Sequence, residues 1–132
     1  MKPKISMITL GVSDLGRSTA FYRDGLALPV YGDFSGITFF KLNSSWLALF
    51  PRADLARDAG IDSAGQGFGG VTLAHNVGSR EEVDAVLKEA QKAGAKIVRR
   101  ARGADWGGYS GYFADPDGYL WEVTWNPHFD LA

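Results

Sequence analysis

The chain contains no cysteine. That excludes a disulfide scaffold, a thiolate zinc site and a cysteine nucleophile. Histidine is almost as scarce: His75 and His128 are the two in 132 residues, so a histidine-rich metal site is excluded by count. Neither sign of charge dominates. Lys+Arg total 14 and Asp+Glu total 15, a net charge of −1, so the chain presents no basic face to a polyanion and no nucleic-acid partner is expected. No apolar run approaches the ~20 residues of a spanning helix. The segment from Met1 to Leu10 has a basic end but lacks the apolar length and cleavage site of a signal peptide. A soluble, cytoplasmic protein with no membrane partner is expected.

Hydrophobic residues make up 45% against 22% charged, a globular balance rather than a disordered one. At this length the chain is one ordinary domain or two fused half-domains. Ile5 to Val12 reads as a strand. Asp14 caps a helix running to about Gly25, where glycine suits a stop. A short strand near Val30-Tyr31 and two clearer ones, 37–42 and 46–50, follow, with Asn43-Ser44-Ser45 as the turn between the last two. One or two helical turns are expected between Ala53 and Ala59. Beyond a glycine-rich connection, Val71 to His75 reads as a strand. Ser79-Arg80-Glu81-Glu82 is a capping box, with Ser79 and Glu82 each satisfying the other's backbone donor. Val83, Val86, Leu87 and Ala90 then fall on one helical face. Strands are expected at 95–100, 112–114 and 119–125, the last two turned by Asp115-Pro116-Asp117-Gly118.

The order is β-α-β-β-β twice, about 1–60 and about 68–132 within a single domain. The residues repeat too: Ile8-Thr9-Leu10 matches Val71-Thr72-Leu73, and Phe40 with 46–50 matches Phe113 with 119–123. Two copies of a unit too small to bury its own sheet face are expected to pack around a cavity. Two tempting motifs are rejected. Gly65-Gln66-Gly67-Phe68-Gly69-Gly70 spells G-x-G-x-x-G but precedes a strand, where the dinucleotide fingerprint needs a helix. Asp115-Pro116-Asp117-Gly118 lacks the remaining ligands of a calcium loop.

Ile8-Thr9-Leu10-Gly11-Val12-Ser13-Asp14-Leu15, followed by Arg17-Ser18 and Phe21-Tyr22, resembles the opening of the vicinal oxygen chelate superfamily. This is the glyoxalase, bleomycin-resistance and extradiol-dioxygenase group. The run from Phe113 to Val123 is similar to its closing hairpin, and the resemblance covers nearly the whole chain. It implies an α+β fold of two βαβββ modules whose mixed sheets curl around an open pocket. It also implies a homodimer. In metal-using members four ligands project from the first and last strands of each module. Here those positions fall at Met7, Gly70, Glu122 and, by a 73-residue offset, Leu49. Divalent ions of this family need imidazole nitrogens and carboxylate oxygens. A thioether, a glycine and a leucine supply none, so the resemblance implies the scaffold while the residues predict no metal and no cofactor.

Strand alternation then predicts the rest of the site. Met7, Thr9, Leu49, Gly70 and Thr72 are expected to line it beside Glu122, with Trp106, Tyr109 and Tyr112 closing over a small organic ligand. Glu122 is the candidate catalytic group, a pocket carboxylate able to act as a general base. His75 is expected to turn toward the helix layer as a structural histidine. Arg99, Arg100 and Arg102 read as solvated surface. The function expected is metal-independent, glyoxalase-like small-molecule binding of a resistance or sequestration type. The alternative is a lyase, isomerase or epimerase of that superfamily in which Glu122 moves a proton, with or without a divalent metal.

Overall fold

A computed structural model describes the whole chain except Lys2, Lys4, Gly60, Gln66, Gly70 and Phe129. It forms two compact units, Met1–Gly67 and Phe68–Ala132. Each carries a four-stranded mixed sheet, and with three helices the whole is α+β, as the sequence predicts.

The first unit runs β1 (Met7–Val12), α1 (Leu15–Ala20), β2 (Val30–Tyr31), β3 (Thr38–Lys41), β4 (Trp46–Pro51) and α2 (Arg52–Ala59). Its sheet order is β1-β4-β3-β2, with β1 and β4 parallel. Asp14 caps α1 by accepting from Arg17 N–H at 2.9 Å, satisfying a donor that the first turn leaves orphaned. The helix does not continue regularly to Gly25. It widens into a π turn over Phe21–Gly25, and the chain leaves through Ala27 at φ 58°. The extra residue has a packing consequence: the sequence neighbours Phe21 and Tyr22 are both buried, at 4% and 0% exposure. They touch edge to face at 5.0 Å, and Tyr22 lies 6.0 Å from Phe40. Leu10, Val12, Leu47 and Leu49 complete this core.

The second unit runs β5 (Thr72–Asn76), α3 (Arg80–Lys92), β6 (Lys96–Gly103), β7 (Tyr109–Ala114) and β8 (Leu120–Trp125), in sheet order β5-β8-β7-β6. Ser79 caps α3 as expected, accepting from Glu82 N–H at 3.2 Å. The return bond differs: Glu82 Oε2 accepts from Gly78 N–H at 2.8 Å, not from Ser79. Val83, Leu87 and Ala90 form the buried stripe of α3, which packs on β6, β7 and β8. Gly111 allows that approach, because a Cβ there would stand 2.6 Å from Leu87 Cδ1 and 2.9 Å from the backbone nitrogen of Ala101. No described helix is long and apolar enough to cross a membrane.

Candidate functional site

The hairpin that carries Glu122 is set by its turn. Asp115, 5% exposed, accepts from Asp117 N–H at 2.9 Å and Tyr119 N–H at 2.8 Å. Gly118 takes the left-handed conformation at φ 88°, which glycine adopts without a Cβ penalty. The turn fixes the β7–β8 register, so Tyr112 stands opposite Glu122 and Ser110 opposite Thr124. On the other side Glu122 pairs with Ala74 and Thr124 with Asn76. On the far edge Arg99 pairs with Tyr112 and Arg102 with Ser110.

Cross-strand partners point to the same side of a sheet. The face away from α3 therefore carries one row of Arg99, Tyr112, Glu122 and Ala74, and a second of Arg102, Ser110, Thr124 and Asn76. Side-chain contacts bind the first row together. The Arg99 guanidinium lies 5.1 Å over the Tyr112 ring, and its Nη2 donates to Ser110 Oγ at 2.9 Å. Burial, and then the negative charge of Glu122, push the Tyr112 phenol above its ordinary pKa, with Arg99 opposing. Tyr112 is therefore a neutral hydroxyl at physiological pH. Thr124 is 6% exposed, and its Oγ1 has no hydrogen-bond partner. Burying an unpaired hydroxyl costs about 1–3 kcal/mol.

The structure brings Thr72, Tyr112 and Glu122 onto this one face, Thr72 opposite Leu120 two pairs along from Glu122. Glu122 is half-buried. Met7, 38% exposed, and Thr9 share a face of the first sheet with Trp46 and Ala48. Three expectations need correction. Leu49 is not beside them: it pairs with Leu10, points to the other face, on which α1 packs, and is fully buried. The 73-residue offset slips the strand by one residue, and a one-residue slip reverses every side chain. Pairing supplies the true equivalence, for Gly11 stands opposite Phe50 as Ala74 stands opposite Glu122. Tyr109 does not close over a ligand, because it lies on the α3 side and donates to Asp84 Oδ1 at 2.8 Å. His75 does face the α3 side, opposite Val123, but it is exposed rather than packed, because α3 packs on β6 to β8 and leaves the edge strand β5 uncovered. Gly70 falls outside the described residues.

Trp106 is 48% exposed and sits in a turn closed by Ala104 N–H to Gly108 O at 2.9 Å. Its ring lies where any Cβ on Gly108 would fall. His128 Nε2 is 2.6 Å from Trp106 O. A carbonyl only accepts, so the imidazole donates from Nε2 and ties the chain after β8 to this turn.

Sequence reasoning missed Arg99 as a site residue. Two bulges in β6 put Lys96, Arg99 and Arg102 on one face at intervals of three, and a period of two cannot read that. It also missed an aromatic set on the corresponding face of the first sheet. Tyr31 and Trp46 meet at 4.7 Å, Trp46 and Phe39 at 6.3 Å, and Phe39 and Phe34 at 5.5 Å. The signal was the 43–45 turn, which sets Lys41 opposite Trp46 and so fixes which aromatics share a side. A separate groove of about 910 Å³ runs between α3 and β6, lined by Asp84, Leu87, Gln91 and Val98 among others. It belongs to the opposite face from Glu122.

A divalent ion does not fit the donor set. Among the described residues no three His, Cys, Asp or Glu side chains gather where they could hold one. Of the four strand positions, Met7 has a thioether, Leu49 and its true counterpart Phe50 are apolar, Gly70 has no side chain, and Glu122 is a lone carboxylate.

A family model for the Glyoxalase/Bleomycin resistance protein/Dioxygenase superfamily matches residues 4–123. The chain is 32% identical over 124 residues to the metallothiol transferase FosB of Shouchella clausii, covering 90% of this chain and 77% of that one. Among solved structures it is similar to a glyoxalase-related enzyme from Fulvimarina pelagi, with TM-score 0.90 and 33% identity over 98% of this chain and 93% of that one. It is also similar to lactoylglutathione lyase from Agrobacterium tumefaciens, with TM-score 0.75 and 25% identity over 98% and 100%.

Proposed function

The chain belongs to the glyoxalase/bleomycin resistance/dioxygenase superfamily, and from that premise we propose that it is a metal-independent binding protein for a small organic molecule. The open face of the second sheet takes the ligand. One observation carries the reading: Glu122, the surviving carboxylate, has a phenol, a threonine and an alanine as cross-strand and same-face neighbours where a metal site needs further donors. Such a face suits hydrogen bonding to a ligand rather than ligation of an ion. The protein acts by sequestration or recognition, in the cytoplasm and as a homodimer.

A specific observation favours a second reading. The neutral Tyr112 hydroxyl stands across from the Glu122 carboxylate, an acid beside a base, which is the pairing a metal-free lyase, isomerase or epimerase would need for proton transfer. Turnover of a carbonyl substrate separates the two.

The test is a ligand screen read by melting temperature and tryptophan fluorescence, with bleomycin as the first probe. A ligand at a hundred times its Kd stabilises the native state by about 2.7 kcal/mol, which raises the melting temperature by several degrees. The shift is expected to disappear in Glu122→Gln, and the fluorescence change to shrink in Trp106→Ala. The hemithioacetal of methylglyoxal and glutathione is expected to turn over no faster than background. A broad library that moves neither signal contradicts binding, and turnover lost in Glu122→Gln selects the enzyme.

A further inference from the structure

The geometry points to a ligand that carries both charges: an anionic group held by Arg99 and an ammonium or amidinium held by Glu122, with Tyr112 between them. This deepens the proposed function and rests on it. Arg99 and Glu122 are the two ends of one cross-strand row, each paired with Tyr112. Two inter-strand steps separate their Cα atoms by roughly 9.5 Å. The ion pairs among the described residues join Arg23 to Asp24 and Arg57 to Asp54. Neither Arg99 nor Glu122 takes part in one.

Arg99 is held ready. Its Nη2 is fixed on Ser110 Oγ at 2.9 Å, its plane lies over the Tyr112 ring, and its Nη1 reaches Arg100 O at a long 3.4 Å. A guanidinium anchored on one side presents its remaining donors to a carboxylate. Glu122 carries no side-chain hydrogen bond to a described residue beyond its interaction with the phenol, and an acceptor-only carboxylate in that state takes a cationic donor best.

The charge arrangement also discriminates. A simple carboxylate drawn to Arg99 meets the field of Glu122, and a simple amine drawn to Glu122 meets that of Arg99. A molecule with both ends charged satisfies both residues and is repelled by neither. The recognised class is therefore small zwitterions whose two charges are a few bonds apart.

A length series tests this: glycine, β-alanine, 4-aminobutanoate and 5-aminopentanoate, with butanoate and butylamine as single-charge controls, titrated calorimetrically at low salt. One member of the series is expected to bind at least ten-fold more tightly than either control. Arg99→Gln and Glu122→Gln are each expected to weaken it ten-fold or more, Arg99→Lys less, and Tyr109→Phe on the α3 side not at all. Melting temperatures confirm that each variant is folded. Butanoate or butylamine binding as tightly as every zwitterion overturns the inference, as does an absence of binding across the series. If the series fails while a bleomycin shift is still lost in Glu122→Gln, the site stands and the zwitterion falls. If Glu122→Gln changes the binding of no ligand, the proposed site itself falls.

Discussion

Gly111→Val is expected to lower the melting temperature by about 10 °C or more. Strand propensity argues the other way, since valine suits a strand better than glycine by roughly 1 kcal/mol. Sterics decides. A Cβ at this position would lie 2.6 Å from Leu87 Cδ1, 2.9 Å from Ala101 N and 3.1 Å from Ala101 Cα. The leucine can rotate away, but the β6 backbone cannot yield without disturbing the β6–β7 ladder. Overpacking of this kind costs about 1–3 kcal/mol and occasionally more, and two added methyl groups against backbone belong at the upper end. One kcal/mol moves the melting temperature of a domain near this size by roughly 3–5 °C. Adding Leu87→Ala should recover part of the loss and not all of it, because the Ala101 clash remains. Full recovery would show that the helix alone is in the way.

The second large effect separates two neighbours in the chain. Phe40 is fully buried and faces Tyr22 at 6.0 Å, while Phe39 is half-buried in the aromatic set of the open face. Phe40→Ala is expected to cost about 3–5 kcal/mol, a large share of the roughly 5–15 kcal/mol that holds a typical domain. Phe39→Ala is expected to cost less than half as much. The comparison by denaturant titration reads the register of β3 directly. Equal losses would contradict the distinction between the two sheet faces, and a larger loss at Phe39 would reverse it.

These contrasts show where the sequence was legible. The caps at Asp14 and Ser79 and the 115–118 turn were readable because each is a local arrangement, closed by hydrogen bonds two to four residues apart. The repeated βαβββ order was readable for the same reason, element by element. Leu49 was misplaced because its face depends on the β1–β4 register, and parallel pairing across about forty residues leaves no local mark. Tyr109 was misread because its partner Asp84 lies on α3, 25 residues away. Arg99 was taken for solvated surface because two bulges in β6 break the alternation that would have set it beside Tyr112. Glu122 and Tyr112 were each read as site residues, but as wall and lid; that they stand opposite one another follows from the β7–β8 register set by the hairpin turn.

The proposed function rests on strand positions that offer a thioether, a glycine and apolar side chains beside the one carboxylate of Glu122. Equilibrium dialysis tests that most directly. The chain is stripped with a chelator, equilibrated with Zn²⁺, Ni²⁺, Mn²⁺ or Fe²⁺ in turn, and its bound metal is measured beside that of Glu122→Gln. Each ion is expected to remain well below one per chain, with no difference between the two proteins; one firmly held ion per chain, released by Glu122→Gln, would contradict the account.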